Sequence, residues 1–232
     1  MTDQIKGILF DKDGTLFDFH STWANWSETF FMDIARQNRA RAVEMARSLG
    51  YHFETRSFDK SSIIIAGTPS EEAAAIVALA PDWTTEEIEA HINKVASEVV
   101  PREAAPLVPL LNGFRARGIK LGVATNDAEA PARAHLGSVG ITGLMDFIAG
   151  YDSGFGMKPE SGMQFGFCRH VGLAPDQVLM VGDSTHDLIS GRNAGMMTVA
   201  VLTGIAEAHE LAPYADVILN HIGELPGFLG HS

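Results

Sequence analysis

Six short apolar runs, at residues 7–10, 120–124, 146–150, 178–181, 198–202 and 216–219, recur along the chain with helix-patterned segments between most of them. Strands that alternate with helices pair in parallel, because each crossover returns the chain to the same end of the sheet. Most of the runs are continuously apolar, as strands covered by helices on both faces must be. The expected fold class is α/β, a Rossmann-like parallel sheet, and a chain of 232 residues that is 46% hydrophobic has the material for a large core.

The alternation fails once. Between the first two runs lies an insert of about 80 residues, far more than a crossover needs. It reads as a helical cap domain over 18–100, with the core made of 1–17 plus 101–232. Trp23, Trp26, Phe30 and Ile34 stand three and four apart and predict a helix from near Ser21 to near Gly50, its aromatic stripe serving as core. Thr68-Pro69-Ser70-Glu71 and Thr84-Thr85-Glu86-Glu87 are capping boxes; a helix to Ala80 follows the first, and one carrying Ile88, Ile92, Val95 and Val99 up to Pro101 follows the second. The stretch from Tyr51 to Gly67 reads as non-helical, and its Ile63-Ile64-Ile65 run suits either insert core or a surface for another subunit. Because both connections leave beside the first two strands, the insert is expected to cover the carboxyl ends of the sheet as a lid.

Chemistry concentrates at those strand ends. Asp11 and Asp13 follow the first run, and strand alternation would point both carboxylates to one side. Asp13-Gly14 alone fits an ordinary turn. Three later segments tip the balance. Thr125-Asn126-Asp127 supplies a hydroxyl and N–H donors for phosphate oxygens, while Asn126 or Asp127 could also cap a helix beginning near Ala128. Lys158 precedes Pro159, which would open a helix through Phe165 and Phe167. Asp183 and Asp187 follow the fourth run, in Gly182-Asp183-Ser184-Thr185-His186-Asp187. Four carboxylates converging on one edge repel strongly without a cation, and an oxygen-only set favours Mg²⁺.

The net charge of −12, spread over dispersed acids, argues against nucleic-acid or anionic-membrane partners. The single cysteine, Cys168, sits in an apolar helical stretch and suits a buried thiol in a reducing compartment. With no secretory start and no apolar run near the ~18 residues that cross a bilayer, the expectation is a soluble cytoplasmic protein. The nine histidines show no metal-ligand spacing.

Taken in order, Asp11-Lys12-Asp13-Gly14-Thr15-Leu16, Thr125-Asn126, Lys158-Pro159 and the Gly182–Asp187 segment resemble the four motifs of the haloacid dehalogenase superfamily of phosphotransferases. The run 178–196, with Gly191, Asn193, Ala194 and Gly195, is similar to the phosphoglycolate-phosphatase-type branch. The resemblance implies Asp11 as nucleophile and Asp13 as acid and base. It implies Mg²⁺ on Asp11, Asp183 and the backbone carbonyl of Asp13, with Asp187 behind these ligands. Thr125, Asn126 and Lys158 would hold phosphoryl oxygens, Lys158 also orienting Asp11 or the later acids. The implied activity is Mg-dependent hydrolysis of a small phosphate monoester, of phosphoglycolate or sugar-phosphate type, through an aspartyl phosphate; the expected partner is a small phosphorylated metabolite, the protein a monomer or homodimer.

A phosphomutase of the β-phosphoglucomutase type would keep the same residues and is the alternative. A dehalogenase has no need of Asp13, because halide leaves without protonation. A phosphonate hydrolase needs a cap lysine, for which the insert offers only Lys60 and Lys94. A receiver-like phospho-aspartate switch is disfavoured because such domains carry no inserted lid and take the phosphoryl group on a middle strand. Arg56 and Lys60 are cations within reach of a substrate, though ordinary solvated charges explain them more simply.

Overall fold

The computed structural model describes residues 4–59 and 61–230. Strand β1 (Gly7–Phe10) leads into the insert, which holds α1 (Phe19–Ile34), α2 (Arg39–Ser48), β2 (Tyr51–His52), β3 (Ser57–Phe58), α3 (Ile63–Ala66), α4 (Pro69–Val77) and α5 (Thr85–Ser97). The chain then runs through α6 (Leu107–Ala116), β4 (Lys120–Ala124), α7 (Glu129–Ser138), β5 (Phe147–Ala149), α8 (Gly162–Val171) and β6 (Val178–Gly182). It ends with α9 (Thr185–Ala194), β7 (Met197–Val201), α10 (Ala208–Leu211), β8 (Val217–Leu219) and α11 (Leu225–Phe228).

All six apolar runs form strands of one parallel sheet, in the order β5-β4-β1-β6-β7-β8. The α/β expectation holds. Side chains alternate across the sheet: Ile8 and Phe10 pack with Leu121, Val123 and Val181 on one face, and Leu9 packs with Phe167 and Met180 on the other. From β1 the chain pairs to β4 on one side and β6 on the other. Such a reversal opens a crevice at the carboxyl end of the central strand, where Asp11 begins.

The insert has its own apolar cluster, with Phe30, Phe31, Ile34, Tyr51, Ile76 and Ile88 fully buried. Both capping boxes form as expected. The long first helix does not: it breaks after Ile34, where Arg36 and Gln37 adopt left-handed φ of 54° and 62° and the Asn38 side chain accepts from Arg41 N–H to start α2. The Tyr51–Gly67 stretch is not wholly irregular, holding the β2–β3 hairpin and the short helix α3. Elsewhere, Pro159 does not open a helix, since α8 starts at Gly162.

The chain leaves and re-enters the core as two adjacent segments, with Asp18 N–H bonded to the Arg102 carbonyl (2.8 Å) and Ala104 N–H to the Leu16 carbonyl (2.9 Å). Arg56 is exposed and engaged with Asn25 and Glu28, on the simpler account of that residue; Lys60 lies outside the described residues. Cys168 is buried, and no helix among the described residues is long and apolar enough to cross a membrane.

Candidate active site

The carboxyl ends of β1, β4 and β6 bring the expected residues to one place. Asp11 continues β1, its N–H bonded to the Val181 carbonyl (2.8 Å), and its carboxylate is buried. Lys158 Nζ, also buried, donates to Asp11 Oδ1 (2.5 Å) and Asp187 Oδ1 (2.6 Å). One oxygen from each of Asp11, Asp183 and Asp187 falls within 4.8 Å of the others. The Asp13 carboxylate is outside that trio, so any role for Asp13 in holding a metal falls to its backbone carbonyl.

Local hydrogen bonds explain how each group is held. Ser184 caps α9 reciprocally with Asp187, whose Oδ2 accepts from Ser184 N–H (3.0 Å) and Oγ (2.7 Å). Asp187 therefore has one oxygen tied to its helix and the other to Lys158. Asn126 caps nothing: the helix cap is Ala128, and Asn126 brackets the backbone of Lys158, donating to its carbonyl (3.1 Å) and accepting from its N–H (2.9 Å). Thr125 Oγ accepts from Asp127 N–H (3.1 Å), which leaves its own hydrogen available to a ligand. Thr15 donates weakly to Asp183 Oδ1 (3.4 Å).

Two glycines make room for Asp183. A Cβ at Gly14, whose φ is +77°, would lie 2.3 Å from Asp183 Oδ2, and one at Gly204 would lie 1.6 Å from the same atom. Thr203 ties the two loops together through a 2.6 Å bond from Oγ to the Gly14 carbonyl.

Charge is unbalanced in this trio. Burial, then the charges of Asp187 and Asp13, push Asp11 up to about 7 despite the opposing pull of Lys158. Burial, with Asp11 and Asp187 beside it, raises Asp183 well above the ordinary carboxylate range. Burial alone would lower Lys158, but Asp11 and Asp187 outweigh it and hold the ammonium above its usual value. Three acids facing one lysine is a donor set that a divalent cation would relieve.

A second buried lysine was invisible in the sequence. Lys12, fully buried, hydrogen-bonds to the Asp13 carboxylate and to His135 Nδ1 (3.0 Å) and forms an ion pair with Asp127 Oδ2 (2.9 Å). Because lysine only donates, His135 Nδ1 must accept, which puts the ring proton on Nε2, bonded to the Ala96 carbonyl of the insert (2.6 Å). Burial and Lys12 lower His135, consistent with a neutral ring. Asp13 is thus gripped at Oδ2, while its buried Oδ1 has no protein partner.

Above the acids the pocket continues between the sheet and the insert, where Phe19, Trp23, Trp26, Glu72 and Asn93 line it. The aromatic stripe is both insert core and pocket wall, more than the structural role its spacing suggested. Burial, with Asp127 and Glu71 nearby, raises Glu72 well above its ordinary value. Nothing in the sequence singled out Glu72, which reads as a solvated acid in the first turn of α4.

Comparison with known proteins identifies the family. The family model of the haloacid dehalogenase-like hydrolases matches residues 8–201, and the chain belongs to that family. A phosphoglycolate phosphatase of Rhodospirillum rubrum is 33% identical over 97% of this chain and 91% of its own length. An N-acetylmuramic acid 6-phosphate phosphatase of Pseudomonas aeruginosa is 27% identical over 96% of this chain and 93% of its own. Among solved structures, a "predicted phosphoglycolate phosphatase" from Haemophilus somnus 129pt superimposes with a TM-score of 0.70 at 21% identity, covering 97% of this chain and 98% of that one. Within the family, the chain is a phosphoric monoester hydrolase.

Proposed function

We propose that this protein hydrolyses a small phosphate monoester with Mg²⁺ bound, through an aspartyl phosphate on Asp11. The observation that carries the reading is the buried trio Asp11, Asp183 and Asp187, two of them bonded to Lys158, at a pocket that Asp13 also lines. The all-oxygen donor set fits Mg²⁺, which Asp11, Asp183 and the Asp13 carbonyl would hold, with Asp187 orienting Lys158. When bound, the ion supplies positive charge that lets an anionic nucleophile approach an anionic phosphate.

In the first half-reaction an Asp11 oxygen attacks phosphorus while Asp13 gives its proton to the departing alcohol oxygen. In the second, Asp13 takes a proton from water, whose oxygen attacks phosphorus and releases phosphate and free Asp11. Thr125 Oγ–H and the remaining N–H of Lys158 steady the phosphoryl oxygens, with Asn126 fixing the Lys158 loop. Residues 18–100 serve as the cap over a core of 1–17 and 101–232. Their separate apolar cluster and the paired connections at Asp18–Arg102 and Leu16–Ala104 support that division.

Phosphate release from a panel of monoesters tests the reading. Turnover is expected to need a divalent ion, to stop on chelation and to return with Mg²⁺. Asp11→Asn should lower it about 1000-fold or more with the fold intact. Full activity in that variant would remove Asp11 as nucleophile and the covalent route with it.

A further inference from the structure

The buried ammonium of Lys12 is enclosed by side chains from four separate segments. Asp13 precedes the insert, Asp127 follows β4, His135 lies on α7, and Trp23 lies on α1 with its ring centroid 5.4 Å from Nζ. Two of these walls lead to the insert. Trp23 belongs to it, and His135 reaches it through Nε2–H, which donates to the Ala96 carbonyl in the last turn of α5 (2.6 Å). Contacts therefore run unbroken from Asp13 through Lys12 and His135 to α5. That helix packs against α7, and Tyr151 of the core donates to Glu89 on it (2.5 Å), so α5 is a face by which the core holds the insert.

Resting on the phosphatase reading above, we propose that His135 is a positioning residue for Asp13: acting through Lys12, it sets the Asp13 carboxylate against the seated insert, so that the group serving the leaving oxygen is in place when the pocket is covered.

A histidine can be buried merely to fill space, but an apolar side chain does that at less cost. His135 is fully buried with both ring nitrogens bonded, which fixes the rotation of the ring as well as its place. Phe17 and Trp23 pack against it, with ring centroids 6.4 and 6.0 Å away. Its neutrality matters too. Asp13 and Asp127 already set two carboxylates on one ammonium, and a third acid in this position would deepen the excess of buried negative charge. An imidazole gives Nζ another acceptor and adds none. The Asp13 carboxylate lines the pocket and is held by Lys12, whose four-carbon stem is flexible by nature. Lys12 can fix Asp13 only as firmly as its own Nζ is fixed, and His135 supplies that fixed point.

The test reads leaving-group dependence. An alkoxide must be protonated as it departs, whereas p-nitrophenolate leaves without help, so a misplaced Asp13 penalises alkyl esters far more. In kcat/KM, His135→Phe is expected to fall about tenfold or more further on the best alkyl ester of a monoester panel than on p-nitrophenyl phosphate. His135→Gln, whose amide can accept from Lys12 and donate to Ala96, should recover most of that difference. In a Lys12→Met background the Phe substitution should add no further leaving-group dependence, because His135 acts through that ammonium. By NMR with labelled aspartate, the Asp13 carboxyl resonance should shift in His135→Phe and return in His135→Gln. Where His135→Phe does not fold, His135→Asn, which can reach Lys12 but not Ala96, carries the same comparison. Equal losses on both esters, a Gln variant no better than Phe, or an unmoved resonance overturns the proposal. Absence of turnover on every ester by the unmodified protein overturns the phosphatase reading instead, and the carboxyl resonance still decides whether His135 acts on Asp13.

Discussion

The two ends of the pocket are built on opposite plans. At the sheet end, groups are tightly paired: Lys158 with Asp11 and Asp187, Lys12 with Asp13, Asp127 and His135, Asp187 with Ser184. At the insert end, Glu72, Asn93 and two tryptophans line the cavity, and each has a buried polar atom without a protein partner. The sheet end meets the same phosphoryl group whatever the substrate, so its geometry can be locked in advance by internal bonds. On the proposed reading the insert end meets the part that varies.

Substitutions at each end sharpen the contrast. The largest effect is expected for Lys158→Ala, which strips Asp11 and Asp187 of the ammonium they share; phosphate release should fall about 100-fold or more. A steady-state assay at saturating Mg²⁺ checks this, and a near-normal rate would mean the paired end is not where transition-state charge is met. Next comes Lys12→Met. It strands Asp13 and Asp127 inside the protein, and removing one member of a buried ion pair costs about 3 kcal/mol or more. Urea unfolding should therefore show a lower midpoint, with activity also impaired because Asp13 loses its grip.

The smallest effect has the opposite sign. Glu72 has a folded-state value raised above its unfolded one, so stability is lost as pH climbs from the unfolded value near 4.5 towards the folded one. Glu72→Gln removes the ionisation and should raise the melting temperature by a few degrees at pH 8. That advantage should shrink as pH falls below the unfolded value, where both proteins carry a neutral side chain. A variant that gains no stability at pH 8 would mean Glu72 already has a partner, and the open end of the pocket would be less open than its geometry implies.

The same divide governed what the sequence disclosed. Asp11, Thr125 and Asp183 were legible because a polar group directly after a buried strand has few innocent explanations, whereas Lys158, in the loop after β5, was legible only through its place in the order of motifs. The sheet followed from continuous apolar runs, and both capping boxes from a local pattern that needs no tertiary contact. Lys12 was hidden because lysine is ordinarily solvated; only the meeting of Asp127 and His135 on separate segments makes a dry cavity tolerable for it. Glu72 and Asn93 were hidden for the converse reason, since acids and amides on amphipathic helices normally face water. The break before α2 was readable in part: Asn38 is a good capping residue, but the aromatic spacing up to Ile34 masked the stop. Two-residue strands such as β2 and β3 are too short to show any period.

Gly14 and Gly204 lie far apart in the chain, yet their missing side chains form one shared hollow around the Asp183 carboxylate. For a lineage carrying this fold, the consequence is a pair of positions with no neutral neighbours. Even alanine at Gly204 would put a methyl group inside a carboxylate, and at Gly14 it would also have to accept a left-handed backbone. Substrate preference can therefore drift by one helix face of the insert at a time, while this corner of the chain holds still through every such change.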